Sequence, residues 1–162
     1  MKFIRLILLS GIAFFVLACI VSFFIPSHIR VFRMVNIASS NDSVLNKVRD
    51  LSQWKGWFPG FEHVELKDQQ VQEGKVVKAE ANGILLQVKE STDSAVVVSI
   101  QKGARAVTGG WQVNIDHRND SLALQAYMDF TLKWYPWEKF SSLMLDKSYG
   151  EALAQGLLNL KE

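Results

Sequence analysis

An uncharged apolar run near the N-terminus constrains this chain more than any other feature. The run extends from Leu6 to Ile25, and only Ser10, Gly11 and Ser22 interrupt its aliphatic, aromatic, alanine and cysteine residues. A helix of about 20 residues is about 30 Å long, which matches the hydrocarbon core of a bilayer. The sequence therefore predicts a single-pass membrane protein whose transmembrane anchor lies within residues 1–27.

Two other interpretations of this run stay open. A signal peptide would place the small residue Ala18 before a cut at Cys19, and a lipoprotein would carry a lipid on Cys19. The apolar run continues well past Cys19, further than the h-region of a signal peptide, which favours an uncleaved helix. A buried core helix is the second alternative, but Pro26 and the flanking charges suit a membrane exit better.

Positive charges flank the apolar run on both sides. Lys2 and Arg5 precede it while His28, Arg30 and Arg33 follow it, so the charge bias that orients a membrane helix is weak. A signal anchor with a short basic tail places the following module outside the cytoplasm, in the periplasm where a cell has two membranes. We therefore expect an extracytoplasmic module.

Composition excludes several protein classes for residues 28–162. About 135 residues suffice for one hydrophobic core. Cys19 is the single cysteine, which excludes an intramolecular disulfide and a cysteine metal cluster. The net charge of the whole chain is only +2, and its lysines and arginines are scattered singly, which argues against a nucleic-acid-binding face. His28, His63 and His117 are widely spaced, and we expect neither a metal nor another cofactor.

The module begins with a strand and short helices. Residues 28–37 contain a roughly alternating β-branched pattern, which predicts a first strand. Residues 39–43 supply several candidate N-caps, and the apolar spacing in residues 44–51 predicts a short helix after them. The aromatic-rich residues 54–61 include two glycines and a proline, which predict a turn or a broken helix.

Strands and a long helix complete the module. The predicted strands lie near residues 62–67, 74–81, 84–90, 95–101, 111–116 and 122–133. Polar turns fall at Asn82-Gly83, Asp93-Ser94 and Asn119-Asp120. This pattern predicts an antiparallel meander, followed by a helix from Trp137 to Leu160. Gly150 and Gly156 each cost that helix about 1 kcal/mol relative to alanine, which indicates close packing or an open space beneath it.

This order of elements resembles the helix-grip fold of the START-like, or SRPBCC, superfamily. The matching segments are Val31–Ile37, Val44–Trp57 with its Trp-x-x-Trp turn, and Tyr149–Lys161, and the resemblance covers Ile29–Lys161 as a whole. The superfamily often has a proline before its first helix, where this chain has Ala38-Ser39-Ser40-Asn41. The resemblance implies an α+β fold in which a curved antiparallel seven-stranded sheet surrounds a long C-terminal helix.

The resemblance also implies an apolar cavity between sheet and helix. Superfamily members include polyketide cyclase/dehydrase-like enzymes, carriers and adaptors, so the fold alone does not choose among these functions. We predict a membrane-anchored module that binds a hydrophobic small molecule or lipid. The alternatives are a cyclase or dehydratase-type enzyme, and a non-catalytic structural or adaptor module with a collapsed cavity. The sequence identifies neither the ligand nor protein partners.

Periodicity and resemblance together nominate residues that line the cavity. They lie on the last strand and last helix, and they are Leu124, Met128, Phe130, Met144, Gly150 and Leu157. Trp54 and Trp57 are candidates for the cavity mouth, and a plug at one end of the core is their other interpretation. We assign no catalytic residue, but Glu90 shares the parity of Leu86 and Val88 and is the best carboxylate for an enzymatic cavity.

An aromatic turn, Trp134-Tyr135-Pro136-Trp137, joins the last strand to the last helix. In the helix-grip topology the first and last strands are antiparallel neighbours, so this turn is expected near residue 30 and the membrane exit. We hypothesise that its rings lie at the depth of the lipid headgroups, where Trp and Tyr are favoured. The alternative is a cap over the hydrophobic end of the barrel.

Overall fold

The structure is a computed structural model that describes residues 2–37, 41–116 and 121–161. Three predictions fall outside these ranges: the N-cap candidates Ser39 and Ser40, the turn at residues 119–120, and the environment of His117. The helices are α1 (Lys2–Phe24), α2 (Asn41–Arg49), α3 (Pro136–Ser141) and α4 (Leu145–Lys161), with 3-10 turns at Leu51–Gly56 and Ser142–Met144. The strands are β1 (His28–Ile37), β2 (Leu66–Gln72), β3 (Lys75–Ala81), β4 (Ile84–Ser91), β5 (Ala95–Lys102), β6 (Arg105–Asp116) and β7 (Ser121–Thr131).

Across the described residues, the strands form one seven-stranded antiparallel sheet in the order β1-β7-β6-β5-β4-β3-β2. Each strand from β2 to β7 pairs with its neighbour in sequence, and β1 pairs with β7 along its length. The predicted α+β class and antiparallel sheet with a C-terminal helix are confirmed. One face of the sheet, here called the inner face, carries the helices.

The C-terminal helical segment is broken where one continuous helix was predicted. A 3-10 turn separates α3 from α4, so the backbone tightens at Ser142–Met144. The Ser141 hydroxyl donates to the Glu138 carbonyl at 2.8 Å, and the Ser142 hydroxyl donates to the Lys139 carbonyl at 2.5 Å. Serine hydroxyls that bond back to a preceding turn compete with the regular helical ladder, which accounts for the break.

Two helical segments pack on different parts of the inner face. α4 packs mainly on β1 and also contacts β7, while α2 and the turn after it cover β3, β5 and β6. The buried positions of α4 recur at helical spacing, and they are Gly150, Leu153, Gly156, Leu157 and Leu160. The core is therefore continuous from the β1 edge to β3.

An aromatic cluster fills the inner face beneath α2. It consists of Trp54, Trp57, Phe58, Phe61 and Trp111, with the Trp54 and Trp111 ring centroids 5.2 Å apart in an edge-on arrangement. The Trp54 indole donates to the Val48 carbonyl at 2.9 Å, so its polar atom is satisfied inside the core. Edge-on aromatic pairs of this kind add about 0.5 to 1.5 kcal/mol each beyond their buried area.

Asp50 fastens the aromatic cluster to the sheet. Its carboxylate accepts from the Ser52 amide at 3.0 Å, as the N-cap of the 3-10 turn, and from the Val76 amide of β3 at 3.2 Å. Burial by itself would raise the pKa of Asp50, but hydrogen bonds from Ser52, Val76 and Gln53 outweigh it and lower that pKa below its ordinary value.

On the outer face, Tyr127 packs flat against a glycine. A side chain at Gly110, its partner on β6, would overlap the Tyr127 ring. The guanidinium of Arg30 lies 4.4 Å from the centre of that ring and pairs with Asp129 through two hydrogen bonds of 2.6 and 2.7 Å. Gly110 therefore makes room for a cross-strand stack that spans β6, β7 and β1.

Because of this stack, we predict that a side chain at Gly110 strongly destabilises the fold. We expect Gly110→Ala to lower the free energy of unfolding by about 1 to 3 kcal/mol, because the Tyr127 ring must leave its place. The measurement is chemical unfolding of the full chain in detergent micelles, followed by tryptophan fluorescence. Gly56→Ala is the matched control, since a methyl group there meets open space. Equal stability of the two variants would contradict this account.

The lowered pKa of Asp50 predicts loss of stability in acid. A carboxylate whose folded pKa lies below its unfolded value stabilises the fold above the unfolded pKa, and this contribution disappears as the pH falls through the folded pKa. We expect Asp50→Asn, which keeps a capping acceptor, to flatten the acid side of the stability profile relative to the wild type. Asp93→Asn, in an exposed turn, should follow the wild-type profile. Parallel profiles for Asp50→Asn and wild type would refute the prediction.

Candidate ligand-binding seam

The candidate site is the interface of α4 with β1 and β7, called the α4 seam below. Strand alternation places Ile29, Val31, Arg33 and Val35 of β1 on the inner face, opposite Phe130, Met128, Ala126 and Leu124 of β7. All but one of these side chains are apolar. Among the described residues of these two rows, Arg33 is the one charged side chain, and it points toward α4.

Arg33 occupies the space that Gly150 leaves open. Its guanidinium donates to both Asp146 carboxylate oxygens, at 3.0 and 3.1 Å, and to the Phe32 carbonyl at 2.8 Å. A Cβ atom at Gly150 would overlap the guanidinium nitrogen of Arg33. The glycine therefore permits a charged group to lie between helix and sheet, where an apolar side chain would otherwise fill the gap.

The electrostatics of this pair follow from its hydrogen bonds. Hydrogen bonding to Asp146 raises the pKa of Arg33, and the same contact lowers the pKa of Asp146. The Arg33 side chain is 35% exposed and that of Asp146 is 69% exposed, so solvent screens the attraction. The pair closes the seam at its surface without contributing much to stability.

The two ends of the seam differ. Near the start of α4, the Tyr149 ring lies 4.9 Å from that of Phe130, and Tyr149 is 41% exposed. Further along, a methyl group at Gly156 would only reach ordinary van der Waals contact with the aromatic segment that includes Trp57, and Asn159 donates to the Trp57 carbonyl at 2.9 Å. The first half of α4 thus covers a partly exposed junction, whereas the second half, with Leu153, Leu157 and Leu160, is buried.

The structure brings together most of the predicted cavity residues. Leu124, Met128, Phe130, Gly150 and Leu157 are buried on β7 and α4. Met144 differs: it lies in the 3-10 turn before α4 and is 65% exposed, because the tightened backbone turns it away from the sheet. Whether the five buried residues line a ligand cavity stays a prediction.

The structure places Trp54 and Trp57 in the core. Their exposures are 0% and 3%, and both belong to the aromatic cluster. These rings therefore do not lie at a cavity mouth. Their packing corresponds to the alternative interpretation, a plug within the core. Both indoles find backbone acceptors, Val48 and Lys47 respectively, which allows such large amphipathic rings to be fully enclosed.

Glu90 does not share the inner face with Leu86 and Val88, so its assignment by parity is wrong. The register of β4 against β5 shifts between Val88 and Glu90, and Glu90 pairs with Val97 instead of continuing the row. A bulge of one residue reverses the facing of every side chain that follows it. Glu90 is exposed, which leaves the inner face without this carboxylate.

Two surface recesses lie away from the seam. One is a groove of about 310 Å³ whose lining includes Arg49, Lys75 and Glu90, and the other, of about 210 Å³, lies between the β3-β4 and β5-β6 hairpins. In the seam, the Arg33 guanidinium fills the space at Gly150. Arg33 was not among the residues predicted from the sequence to line the cavity. Its signal in the sequence is that it is a charged residue between the apolar Val31 and Val35 on one face of β1.

Comparison with known proteins identifies the fold. No protein-family model matches the sequence. No curated protein is significantly similar to it in sequence. Solved structures do match the architecture. One is the di-domain ARO/CYC StfQ from the steffimycin biosynthetic pathway, with a TM-score of 0.59 and 10% identity over 83% of this chain. This chain spans about half the length of StfQ, 49%.

Two further structures match at similar levels. CalU16 from Micromonospora echinospora has a TM-score of 0.53 and 12% identity, over 82% of this chain and 75% of its own. A START superfamily protein from Mycobacterium smegmatis has a TM-score of 0.54 and 18% identity, over 79% of this chain and 93% of its own. With its antiparallel sheet and C-terminal helix, this chain has the START-like, or SRPBCC, fold.

Proposed function

We propose that this protein is a membrane-anchored START-like module that binds a hydrophobic small molecule or lipid in the α4 seam. The observation that carries the proposal is the filling of the space at Gly150 by the Arg33 guanidinium. A flexible, partly exposed side chain is displaced more easily than a packed apolar one. The guest would enter where Arg33 now lies and would extend between Met128, Phe130 and α4.

The energies favour such an exchange. The Arg33–Asp146 pair is partly exposed, and ion pairs of this kind contribute about 0 to 1 kcal/mol. An apolar guest gains about 25 cal/mol for each Å² that it removes from water, which offsets the loss of the pair after a modest burial. Arg33 and Asp146 would then be free to orient a polar end of the guest at the surface.

The N-terminal helix supports membrane attachment. α1 is long and apolar enough to cross a membrane, by length and composition, a property that signal sequences share. Of its described side chains, only Ser22 is buried against the rest of the protein. We propose that α1 is retained as the anchor, that residues 28–162 form the ligand-binding module, and that this module lies on the extracytoplasmic side.

Binding without catalysis is the simpler use of the seam. Asp146, the carboxylate that pairs with Arg33 at the seam, is exposed and has a lowered pKa, so it is a poor proton acceptor. The fold neighbours, a START superfamily protein and a di-domain ARO/CYC of a biosynthetic pathway, are consistent with either hydrophobic-ligand binding or a cyclase.

A structural or adaptor module is the second candidate. The aromatic cluster favours it, because Trp54, Trp57 and Trp111 fill the inner face under α2 with nearly no exposure. In this alternative the seam stays closed, and Arg33 serves only to link β1 to α4. The two candidates differ in whether the space at Gly150 opens.

A side chain at Gly150 tests this difference. We expect the full chain in detergent micelles to bind the fluorescent fatty acid cis-parinaric acid, and Gly150→Leu to weaken binding about tenfold or more by filling the guest's position. Gly56→Leu is the control, since Gly56 faces open space. Thermal unfolding of each variant shows that the fold is retained. Unchanged affinity of Gly150→Leu would place any binding elsewhere.

Removal of the Arg33 side chain from the space at Gly150 gives the complementary prediction. We expect Arg33→Ala to bind cis-parinaric acid at least as tightly as the wild type, because no ion pair must then be broken. Mass spectrometry of an organic extract of the purified full chain should also detect a retained lipid. If the wild type and Arg33→Ala both fail to bind the probe and carry no lipid, the closed structural module is the correct interpretation.

A further inference from the structure

α3 and the turns on either side of it carry a surface of large apolar side chains. They belong to Trp134, Trp137, Phe140, Leu143 and Met144, called the α3 patch below. Trp134 and Leu143 are each 70% exposed, and Phe140 at 39% is the least exposed of the set. Such exposure of Trp134 and Trp137 argues against the alternative in which the aromatic turn caps the end of the barrel.

The aromatic part of the patch is held in a fixed arrangement. The Tyr135 ring stacks on that of Trp137, with centroids 4.9 Å apart and planes within 6°, and it also contacts Trp134 at 4.9 Å. The Lys133 amide donates to the Glu138 carboxylate at 2.8 Å and so closes the turn. The rings therefore form a rigid amphipathic surface, which is the kind of group found at membrane interfaces.

The patch lies beside the C-terminal end of α1. Lys139 is only 5% exposed, and its ammonium donates to the Ile25 carbonyl at 2.6 Å and to the Ser27 hydroxyl at 2.8 Å. The Leu132 amide donates to the Ser27 carbonyl at 2.8 Å. A cation at a helix C-terminus satisfies the last carbonyls, so this contact fastens α3 to the end of α1.

Exposed basic residues lie near the patch. Lys133 and Lys147 flank it in sequence. Lys102 and Arg105 lie on the β5-β6 hairpin at the same end of the sheet, where Arg105 pairs with Glu138 of α3 at 3.5 Å. Lysine and arginine around a Trp-rich apolar surface match anionic lipid headgroups above acyl chains.

We propose that the α3 patch is a second membrane contact, which lies in the headgroup region of the same bilayer that α1 enters. The proposal rests on the membrane attachment in the proposed function and is independent of any guest. The partner is a phospholipid surface with anionic headgroups, chosen because the patch lies against the end of the apolar helix and has the exposed Lys133 and Lys147 at its borders in sequence. The start of α4, and with it the Gly150 end of the seam, then faces the bilayer.

Lipid quenching of tryptophan fluorescence tests the proposal. The full chain is reconstituted in phosphatidylcholine–phosphatidylglycerol vesicles in which the phosphatidylcholine carries bromine near the headgroup end of its chains. We expect strong quenching in the wild type and loss of most of it in the double variant Trp134→Ala/Trp137→Ala, since Trp54, Trp57 and Trp111 lie inside the core. The control is Phe32→Ala/Met34→Ala, which removes exposed apolar side chains from β1 and should leave quenching unchanged.

Three other outcomes would overturn the proposal. Quenching by aqueous acrylamide in place of the brominated lipid would place the patch in water. Protection from both quenchers would show that protein, such as a second copy of the chain, covers the patch. Failure of the wild type to float with the vesicles would remove membrane attachment itself. Because cis-parinaric acid binding is measured separately in micelles, failure of the guest hypothesis is distinguishable from all three.

Discussion

The pairing of the first strand with the last is the contact on which the rest of the structure depends. β1 and β7 run antiparallel from the His28–Thr131 pair to the Ile37–Leu122 pair, although about 99 residues separate the partners Arg30 and Asp129. Closing so long a loop costs conformational entropy, which the backbone ladder and the buried side chains between sheet and α4 offset. The same pairing brings the end of α1 to α3, so the α4 seam and the α3 patch both follow from it.

The inner face of the sheet is packed differently under α2 and under α4. Under α2 it is filled by tightly packed indole and phenyl rings, and the Trp54 and Trp57 indoles donate to backbone carbonyls. Under the first half of α4 a glycine faces an arginine, and the contact is held by a solvent-screened ion pair. Local opening of a protein begins where apolar contacts are fewest and hydrogen bonds are exposed, which here is the junction of Arg33 and Gly150.

Much of the fold could be predicted from the sequence, because strand alternation and helical spacing record which face of each element is buried. The site was less predictable. A one-residue bulge in β4 turns the Glu90 side chain to the outer face. Hydrogen bonds from two serine hydroxyls interrupt the last helix and leave Met144 exposed. Hydrophobic periodicity shows neither effect. The burial of Trp54 depended on an acceptor six residues away, and the role of Arg33 depended on a glycine more than a hundred residues later.

The contact between Lys139 and the end of α1 has a mechanical consequence. Only Ile25, Pro26 and Ser27 join α1 to β1, and two of them are hydrogen-bonded to Lys139. These hydrogen bonds restrict rotation about the three-residue linker, so we expect the sheet domain to keep a fixed orientation relative to α1. If α1 crosses a bilayer as proposed, a change in its tilt, for example in a thinner bilayer, would move the sheet together with the helix.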